Sequence, residues 1–106
     1  MRQPIINIVA GYFQALSHPT RIEILQLLKN KGEMCVCEIV EKLGKDQSNV
    51  SRHLNALRTV GVVEFRGEGA RSFYKVKHKD VDKILDIVKS ILHEEVKEGQ
   101  KILGAF

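Results

Sequence analysis

The sequence predicts a mainly α-helical domain with one small β-hairpin, in the order α-α-α-α-β-β-α. Apolar residues recur at helical spacing before residue 61 and after residue 80, whereas residues 62–77 alternate with a period of about two. Neither an internal repeat nor a Pro/Gly/Ser-rich linker divides the 106 residues. With 43% apolar residues the chain can bury a small core, so we expect residues 1–106 to form a single domain.

Two helices are predicted in the first third of the chain. Pro4 suits the first turn of a helix, and apolar residues then repeat from position 5 to position 16. The segment 17–20 ends this helix and begins another, which Gly32 terminates as a left-handed cap. The broad apolar face of the second helix consists of Ile22, Ile24, Leu25, Leu27 and Leu28.

A short helix, a tight turn and a longer helix are predicted over about residues 36–60. Gly44 stops the short helix, and Asp46 can cap the longer one. The predicted inner face of the longer helix is Val50, Leu54, Leu57 and Val60. Its outer face has few acids, unlike an ordinary solvated face, and mixes the amide, hydroxyl and guanidinium groups of Ser48, Asn49, Ser51, Arg52, Asn55 and Arg58.

The remaining residues predict a hairpin and a last helix. Residues 62–77, "VVEFRGEGARSFYKVK", read as two strands joined by a turn at residues 67–70. Two strands alone are marginally stable, so the hairpin must pack on the helices. The last helix is predicted over about residues 80–97, where apolar residues again follow helical spacing.

The positive charge is concentrated in the middle of the chain. Residues 47–79 carry seven Lys/Arg against two Asp/Glu, whereas residues 1–46 carry six against five and residues 80–106 carry four against six. This local excess favours a surface that faces a polyanion, with a solvated positive face that has no partner as the alternative.

Helices followed by a basic hairpin form the layout of a winged helix-turn-helix. In that layout a helix enters the major groove, its first turns face base edges, and the hairpin, or wing, lies over the adjacent backbone. His53 is the weakest candidate, because a histidine beside Leu54 can equally pack or hydrogen-bond inside the protein. The residues predicted to contact DNA are Gln47, Ser48, Asn49, Ser51, Arg52, His53, Arg66 and Arg71.

The chain resembles the ArsR/SmtB family of transcriptional repressors in two motifs. They are "ALSHPTRIEILQLL" and "CVCEIVEKLGKDQSNVSRHLNALRTVGVVEFRGEGARSFYKV". The likeness extends over about residues 10–96. It implies a homodimer formed by the first and last helices, at about residues 4–16 and 80–97, with a helix-turn-helix at 36–60 and a wing at 62–77. It also implies binding to a pseudo-palindromic operator, with half-sites about 34 Å apart, and release by an effector.

The two cysteines form a C-x-C pair in "EMCVCEI", residues 33–39. A bridge between them closes a tight ring that fits relaxed disulfide geometry poorly, so we expect thiols or metal ligands in a cytoplasmic protein. The family resemblance identifies Cys35 and Cys37 with the box that binds arsenite, antimonite, cadmium or lead. Arsenic sites of that family usually take a third thiolate from three residues after the second cysteine, where this chain has Val40, or from an N-terminal cysteine, which it lacks.

The sequence leaves open which group completes this site and whether the pair binds a metal at all. The third ligand can be a nitrogen, an oxygen or an outside thiol, or both subunits can share the ion. Alternatively, the pair senses oxidation or persulfide, or consists of two packing residues with no sensing role. The family resemblance also implies a second site across the dimer, of the kind that binds zinc, with the residues His78, Asp80, His93 and Glu94 here. This prediction is weaker, because acids and histidines on an exposed helix usually only solvate it.

Other classes of function have less support in the sequence. No nucleophile is paired with a base, so we expect neither an enzyme nor a catalytic cofactor. The apolar run at residues 5–16 is too short to span a bilayer, so no membrane partner is expected. A winged helix that binds DNA or RNA without any effector is the remaining alternative.

Overall fold

A computed structural model describes residues 4–97 of the chain. The single-domain prediction for residues 1–106 therefore includes two ends, 1–3 and 98–106, that lie outside the described residues. The elements are α1 (Pro4–Leu16), α2 (Pro19–Lys31), β1 (Glu33–Cys35), α3 (Val36–Leu43), α4 (Gln47–Thr59), β2 (Val63–Glu68), β3 (Arg71–Val76) and α5 (Asp80–Lys97). All five predicted helices and both strands of the hairpin are present, and no helix within residues 4–97 is long and apolar enough to cross a membrane.

The sheet has three strands, in the order β1-β3-β2, where the sequence predicted only a hairpin. β1 pairs antiparallel with β3, so that Met34 lies opposite Tyr74 and Cys35 opposite Phe73. A strand of three residues is too short to show an alternating pattern, and its partner lies about 40 positions away in the chain, so local sequence carries no signal for it. The turn of the hairpin is also shorter than predicted, since β2 continues to Glu68.

The hydrophobic core lies between α2, α4 and the inner face of the sheet. Leu25 of α2, Leu54 of α4 and Met34 of β1 are completely buried within one cluster. Each such side chain contributes about 1.5–3 kcal/mol when fully removed from water. Val60, predicted to face inward, is 36% exposed because α4 ends at Thr59.

The ends of the helices explain why the chain turns where it does. The Asp46 carboxylate accepts the backbone N–H of Asn49 at 2.9 Å, which confirms the predicted cap of α4. Gly44 has φ 67°, the left-handed conformation that favours glycine, and its N–H donates to the carbonyl of Val40. The turn between α3 and α4 is therefore fixed from both sides.

Two apolar surfaces on the outside of the protein are not covered by any part of residues 4–97. On α1 the side chains of Ile5, Ile8 and Phe13 are 63%, 67% and 54% exposed. On α5, Ile87 and Ile91 are 60% and 56% exposed. Clusters of large exposed apolar side chains on a small protein mark interaction surfaces.

The cap of α4 gives a direct test of this arrangement. We expect Asp46→Ala to lower the free energy of unfolding by about 1 kcal/mol, because the N–H of Asn49 loses its acceptor. Asp46→Asn is the matched control, since its amide oxygen can still accept that hydrogen bond. Urea unfolding measures both variants, and an equal loss in the two would contradict the capping role.

Candidate DNA-binding surface and thiol site

The first turns of α4 present a polar surface to solvent. Gln47, Ser48, Ser51 and Arg52 are exposed there, while Val50 on the opposite side is completely buried. Burial of that opposite side, together with the cap at the start of α4, holds the polar side outward. The exposed groups are an amide, two hydroxyls and a guanidinium, the types that read base edges and phosphates.

Asn49 lies at the edge of this surface and is half-buried. Its Oδ1 atom is buried without a hydrogen-bond partner among residues 4–97. The side chain therefore keeps an unused acceptor beside the exposed residues of α4.

His53 is the one predicted contact on α4 that lies inside the protein. It is 6% exposed, and its Nδ1 accepts a hydrogen bond from Nε of Arg21 at 3.0 Å. The ring of His18 packs against it with 4.3 Å between centroids. Of the two roles that the sequence left open for His53, the structure supports packing and hydrogen bonding instead of base contact.

The two arginines of the wing differ in what they contact. Arg71 is exposed at the start of β3. Arg66 instead donates through Nε and a terminal nitrogen to both oxygens of Glu33, at 3.1 and 3.0 Å, and through its other terminal nitrogen to Glu68 at 3.2 Å. Its guanidinium also lies 4.7 Å from the centroid of the Phe73 ring. Arg66 thus joins the wing to β1, and its contact with DNA stays a prediction.

Charge pairing at Glu33 shifts its titration. The hydrogen bond from Arg66 lowers the pKa of the Glu33 carboxyl below its ordinary value, with a smaller contribution from the charges of Arg66 and Lys75. A carboxyl with a lowered pKa stabilises the fold above its unfolded pKa, and this stabilisation is lost as pH falls through the folded value.

Sequence reasoning missed two arginines that fix α4. Arg21 of α2 bonds His53, and Arg58 near the end of α4 lies 4.5 Å from the centroid of the Phe65 ring on β2. The second contact is a cation–π interaction that joins α4 to β2 of the hairpin. Arg21 and His53 are 32 positions apart, and Arg58 and Phe65 are separated by the turn after α4, so helical spacing predicts neither contact.

Cys35 and Cys37 form a disulfide in the structure, which corrects the expectation that a C-x-C bridge is unfavourable. The chain changes between them from the extended Cys35, with φ −79° and ψ 158°, to the first turn of α3. This change brings the two Cα atoms to 5.3 Å, within the usual range for disulfides. Cys35 is 2% exposed, whereas Cys37 is exposed to solvent.

The sulfur of Cys35 also caps α3. It accepts the backbone N–H of Glu38 at 3.3 Å, and the carboxylate of Glu38 accepts the backbone N–H of Cys35 at 3.0 Å. This reciprocal pair is a capping box with sulfur in the place of a hydroxyl oxygen. Chemistry at Cys35 therefore acts directly on the start of the first helix of the helix-turn-helix.

The residues near the two cysteines fit a soft metal ion only in part. Two sulfurs are suitable ligands once reduced. Within residues 4–97, however, no group of three or more His, Cys, Asp or Glu side chains is placed to hold an ion. Val40, at the position of the missing thiolate, packs against the core. A site with three thiolates is thus not complete in one chain.

The four residues of the predicted second site do not meet within one chain. His78 precedes α5, and Asp80 and His93 are separated by roughly 20 Å of helix at 1.5 Å per residue. Asp80 pairs with Lys83 at 3.3 Å, and Glu94 pairs with Lys97 at 3.4 Å. A metal site that uses all four residues therefore needs a second chain.

Comparison with known proteins places this geometry among transcriptional regulators. Residues 18–64 match the model of the family described as bacterial regulatory protein, arsR family. An uncharacterized HTH-type transcriptional regulator of Methanocaldococcus jannaschii, MJ1325, is 43% identical over 79 residues, which cover 74% of this chain and 89% of that protein. A cadmium resistance transcriptional regulatory protein CadC homolog of Staphylococcus aureus is 33% identical over 86 residues, covering 81% and 69%.

A solved structure gives the same result for the fold. The homodimeric winged helix-turn-helix DNA-binding domain Mb0332 of Mycobacterium bovis, described as a possible ArsR-family regulator, superposes with a TM-score of 0.80 at 32% identity. The match covers 90% of this chain and 87% of that one. The predicted winged helix-turn-helix architecture is therefore confirmed.

The pairing of Arg66 with Glu33 can be separated from a phosphate contact. We expect Arg66→Gln to raise the pKa of the Glu33 carboxyl towards its ordinary value, because the hydrogen bond from Arg66 is the largest cause of its lowering. Carboxyl NMR titration of Glu33 measures the shift, and an unchanged pKa would contradict the pairing. If Arg66 also neutralises a phosphate, Arg66→Gln reduces the salt slope of DNA binding by about 1, whereas Glu33→Gln does not.

Proposed function

The chain belongs to the ArsR family of transcriptional regulators, and on that premise we propose that it is a repressor that binds a pseudo-palindromic operator as a homodimer and responds to chemistry at Cys35 and Cys37. The observation that carries the DNA-binding part is the exposed polar side of α4, where Gln47, Ser48, Ser51 and Arg52 share the first two turns. The partner subunit is proposed to bind at α1 and α5, and the effector at the two cysteines.

Direct readout of DNA requires polar side chains on a helix that fits the major groove. Arg52 can pair bidentately with guanine, and Gln47 with adenine. Residues 47–79 carry seven Lys/Arg against two Asp/Glu, which favours approach to the phosphate backbone. The exposed Arg71 at the wing is the proposed backbone contact beside this helix.

Dimerisation is supported by the uncovered apolar surfaces. Helices α1 and α5, at residues 4–16 and 80–97, both expose large aliphatic side chains in a single chain. A second copy would bury these surfaces symmetrically, as in a two-fold interface. The Mycobacterium bovis domain with the same fold is described as homodimeric, which supports the same assembly here.

The effector proposal starts from the two sulfur atoms of one chain. Cys35 and Cys37 supply a complete dithiol–disulfide couple, which needs no third ligand. Two thiols lose two electrons and two protons to hydrogen peroxide, giving the disulfide and two molecules of water. Cys37 is exposed and can meet the oxidant, while the sulfur of Cys35 caps α3 and transmits the change. Oxidation is therefore the effector chemistry that the geometry supports best.

A thiophilic metal or metalloid is the second candidate. The Staphylococcus aureus relative is named for cadmium resistance, and reduced Cys35 and Cys37 are soft ligands of the kind that cadmium, lead, arsenite and antimonite prefer. Such an ion would be held by these two thiolates and by a donor from outside the chain. His78, Asp80, His93 and Glu94 remain a weaker proposal for zinc across the dimer.

Removal of the Arg52 guanidinium tests base readout. We expect Arg52→Ala to weaken binding to an operator selected from a random duplex pool by about 1–3 kcal/mol, with little change on random DNA. Lys42→Ala is the control, because it removes one positive charge from the exposed last turn of α3 and leaves the contacts of α4 in place. Fluorescence anisotropy measures both, and an unchanged preference for the operator in Arg52→Ala would contradict the proposal.

Serine substitution tests the thiol site. We expect Cys35→Ser to keep operator binding, since serine is also a good N-cap, and Cys37→Ser to keep it because Cys37 is exposed. Both variants should lose release by the effector. In the unsubstituted protein, release corresponds to a coupling of about 1–3 kcal/mol, roughly 5- to 150-fold in affinity.

Separate titrations with hydrogen peroxide, cadmium and arsenite distinguish the two effector candidates. Release by peroxide alone supports oxidation, and release by either metal reagent under reducing conditions supports the metal site. If the double serine variant still releases DNA with the same reagent, the sensing site lies elsewhere. If no reagent releases the unsubstituted protein, the winged helix has none of these effectors.

A further inference from the structure

A polar cluster connects the end of α1 and the start of α2 to the reading helix α4. Arg21 donates through Nε to Nδ1 of His53 at 3.0 Å and through a terminal nitrogen to the backbone carbonyl of Ala15 at 3.2 Å. His18 accepts the backbone N–H of Thr20 at 3.1 Å and packs its ring on His53. One guanidinium thus contacts α1, α2 and α4 together.

We propose that Arg21 and His53 are positioning residues for operator recognition, which hold α4 at a fixed place relative to the end of α1. This inference rests on the proposed function, because it assumes that α4 reads the operator and that α1 lies in the dimer interface. Neither residue touches DNA in this proposal. They act by setting where the exposed side of α4 lies in each subunit, and hence the distance between the two reading helices.

The hydrogen bond between Arg21 and His53 is suited to this role because donor and acceptor cannot exchange places. His53 accepts at Nδ1, so its neutral ring carries the proton on Nε2. Arg21 has only donors, and its planar guanidinium fixes the angle between its two contacts. Since His53 is 6% exposed, no bulk water replaces the bond when it breaks.

Burial and the charges around His53 both favour its neutral form. Burial lowers the pKa of His53, and the positive groups around it lower it further: His18 and Arg21 on the α2 side, Arg52 on α4 itself and Lys45 in the turn before α4. Within this cluster α1 contributes the carbonyl of Ala15 to Arg21. Protonation turns Nδ1 into a donor that faces the donor of Arg21, so the bond is present above the lowered pKa and is lost as pH falls through it.

A pair of isosteric substitutions separates the hydrogen bond from packing. Asn places an amide oxygen near the position of Nδ1, whereas the longer Gln places its amide near Nε2 and leaves Arg21 without an acceptor. We expect His53→Gln to lower affinity for a selected operator roughly tenfold to a hundredfold, and His53→Asn to lower it less than about threefold. Affinity for random DNA stays within about twofold in both variants.

The pH profile gives a second readout that a merely structural role would not change. As pH falls through the lowered pKa of His53, operator affinity of the unsubstituted protein should fall relative to that of His53→Asn, whose acceptor does not titrate. Arg21→Gln should lose operator affinity as His53→Gln does, and the double variant should lose little more, because both remove the same bond.

Two results would overturn the inference. Equal losses in His53→Asn and His53→Gln would show that only ring packing matters, and unchanged operator affinity in a folded His53→Gln would show that the bond positions nothing. Thermal unfolding of both variants identifies any loss of operator affinity that comes from unfolding. In that case Arg21→Gln, which leaves the His53 ring in place, decides whether the hydrogen bond positions α4. Failure of the proposed function would give a different result from failure of this inference, because the unsubstituted protein would then select no operator.

Discussion

Burial of one face of α4 against α2 is the constraint on which the rest of the structure depends. Val50, Leu54 and Leu57 are completely buried and share one cluster with Leu25 and Leu28 of α2. Because these side chains recur every three or four positions, the remaining positions of α4 must face solvent. The polar residues of the first turns are held outward for this reason. Apolar burial resists rotation of the helix, while the hydrogen bond between Arg21 and His53 adds a polar contact of fixed direction.

The third strand connects the thiol site to the wing. Cys35 ends β1 opposite Phe73 of β3, and Arg66 of β2 also lies opposite Phe73 and reaches Glu33 at the other end of β1. The same cysteine caps α3, so one residue is shared by the sheet and by the first helix of the helix-turn-helix. A change in its sulfur chemistry would therefore act where α3 joins the sheet that carries the hairpin. This position supports the proposed sensing role of the pair whichever reagent reacts with it.

The elements that could be predicted from the sequence are those with local signals. Helical spacing, the cap at Asp46 and the glycine at position 44 specify α4 and its turn without any knowledge of the fold. The short strand β1, the bridge between Cys35 and Cys37 and the contact of Arg21 with His53 had no such signal. Pairing of β1 and the contact of Arg21 depend on residues more than 30 positions away, and the bridge depends on a change of backbone conformation within a single turn. The exposed residues of the candidate site followed from the pattern, whereas the buried residues that position them did not.

The central claim is that two copies of this chain place two reading helices on one face of DNA, about one helical turn apart. The most direct measurement is affinity and stoichiometry on a selected operator and on the same operator with five base pairs inserted between its half-sites. The insertion rotates the half-sites onto opposite faces of the duplex, so the account predicts two chains on the original operator and a loss of at least about tenfold in affinity on the altered one. Equal affinity for both duplexes, with one chain bound to each, would contradict it.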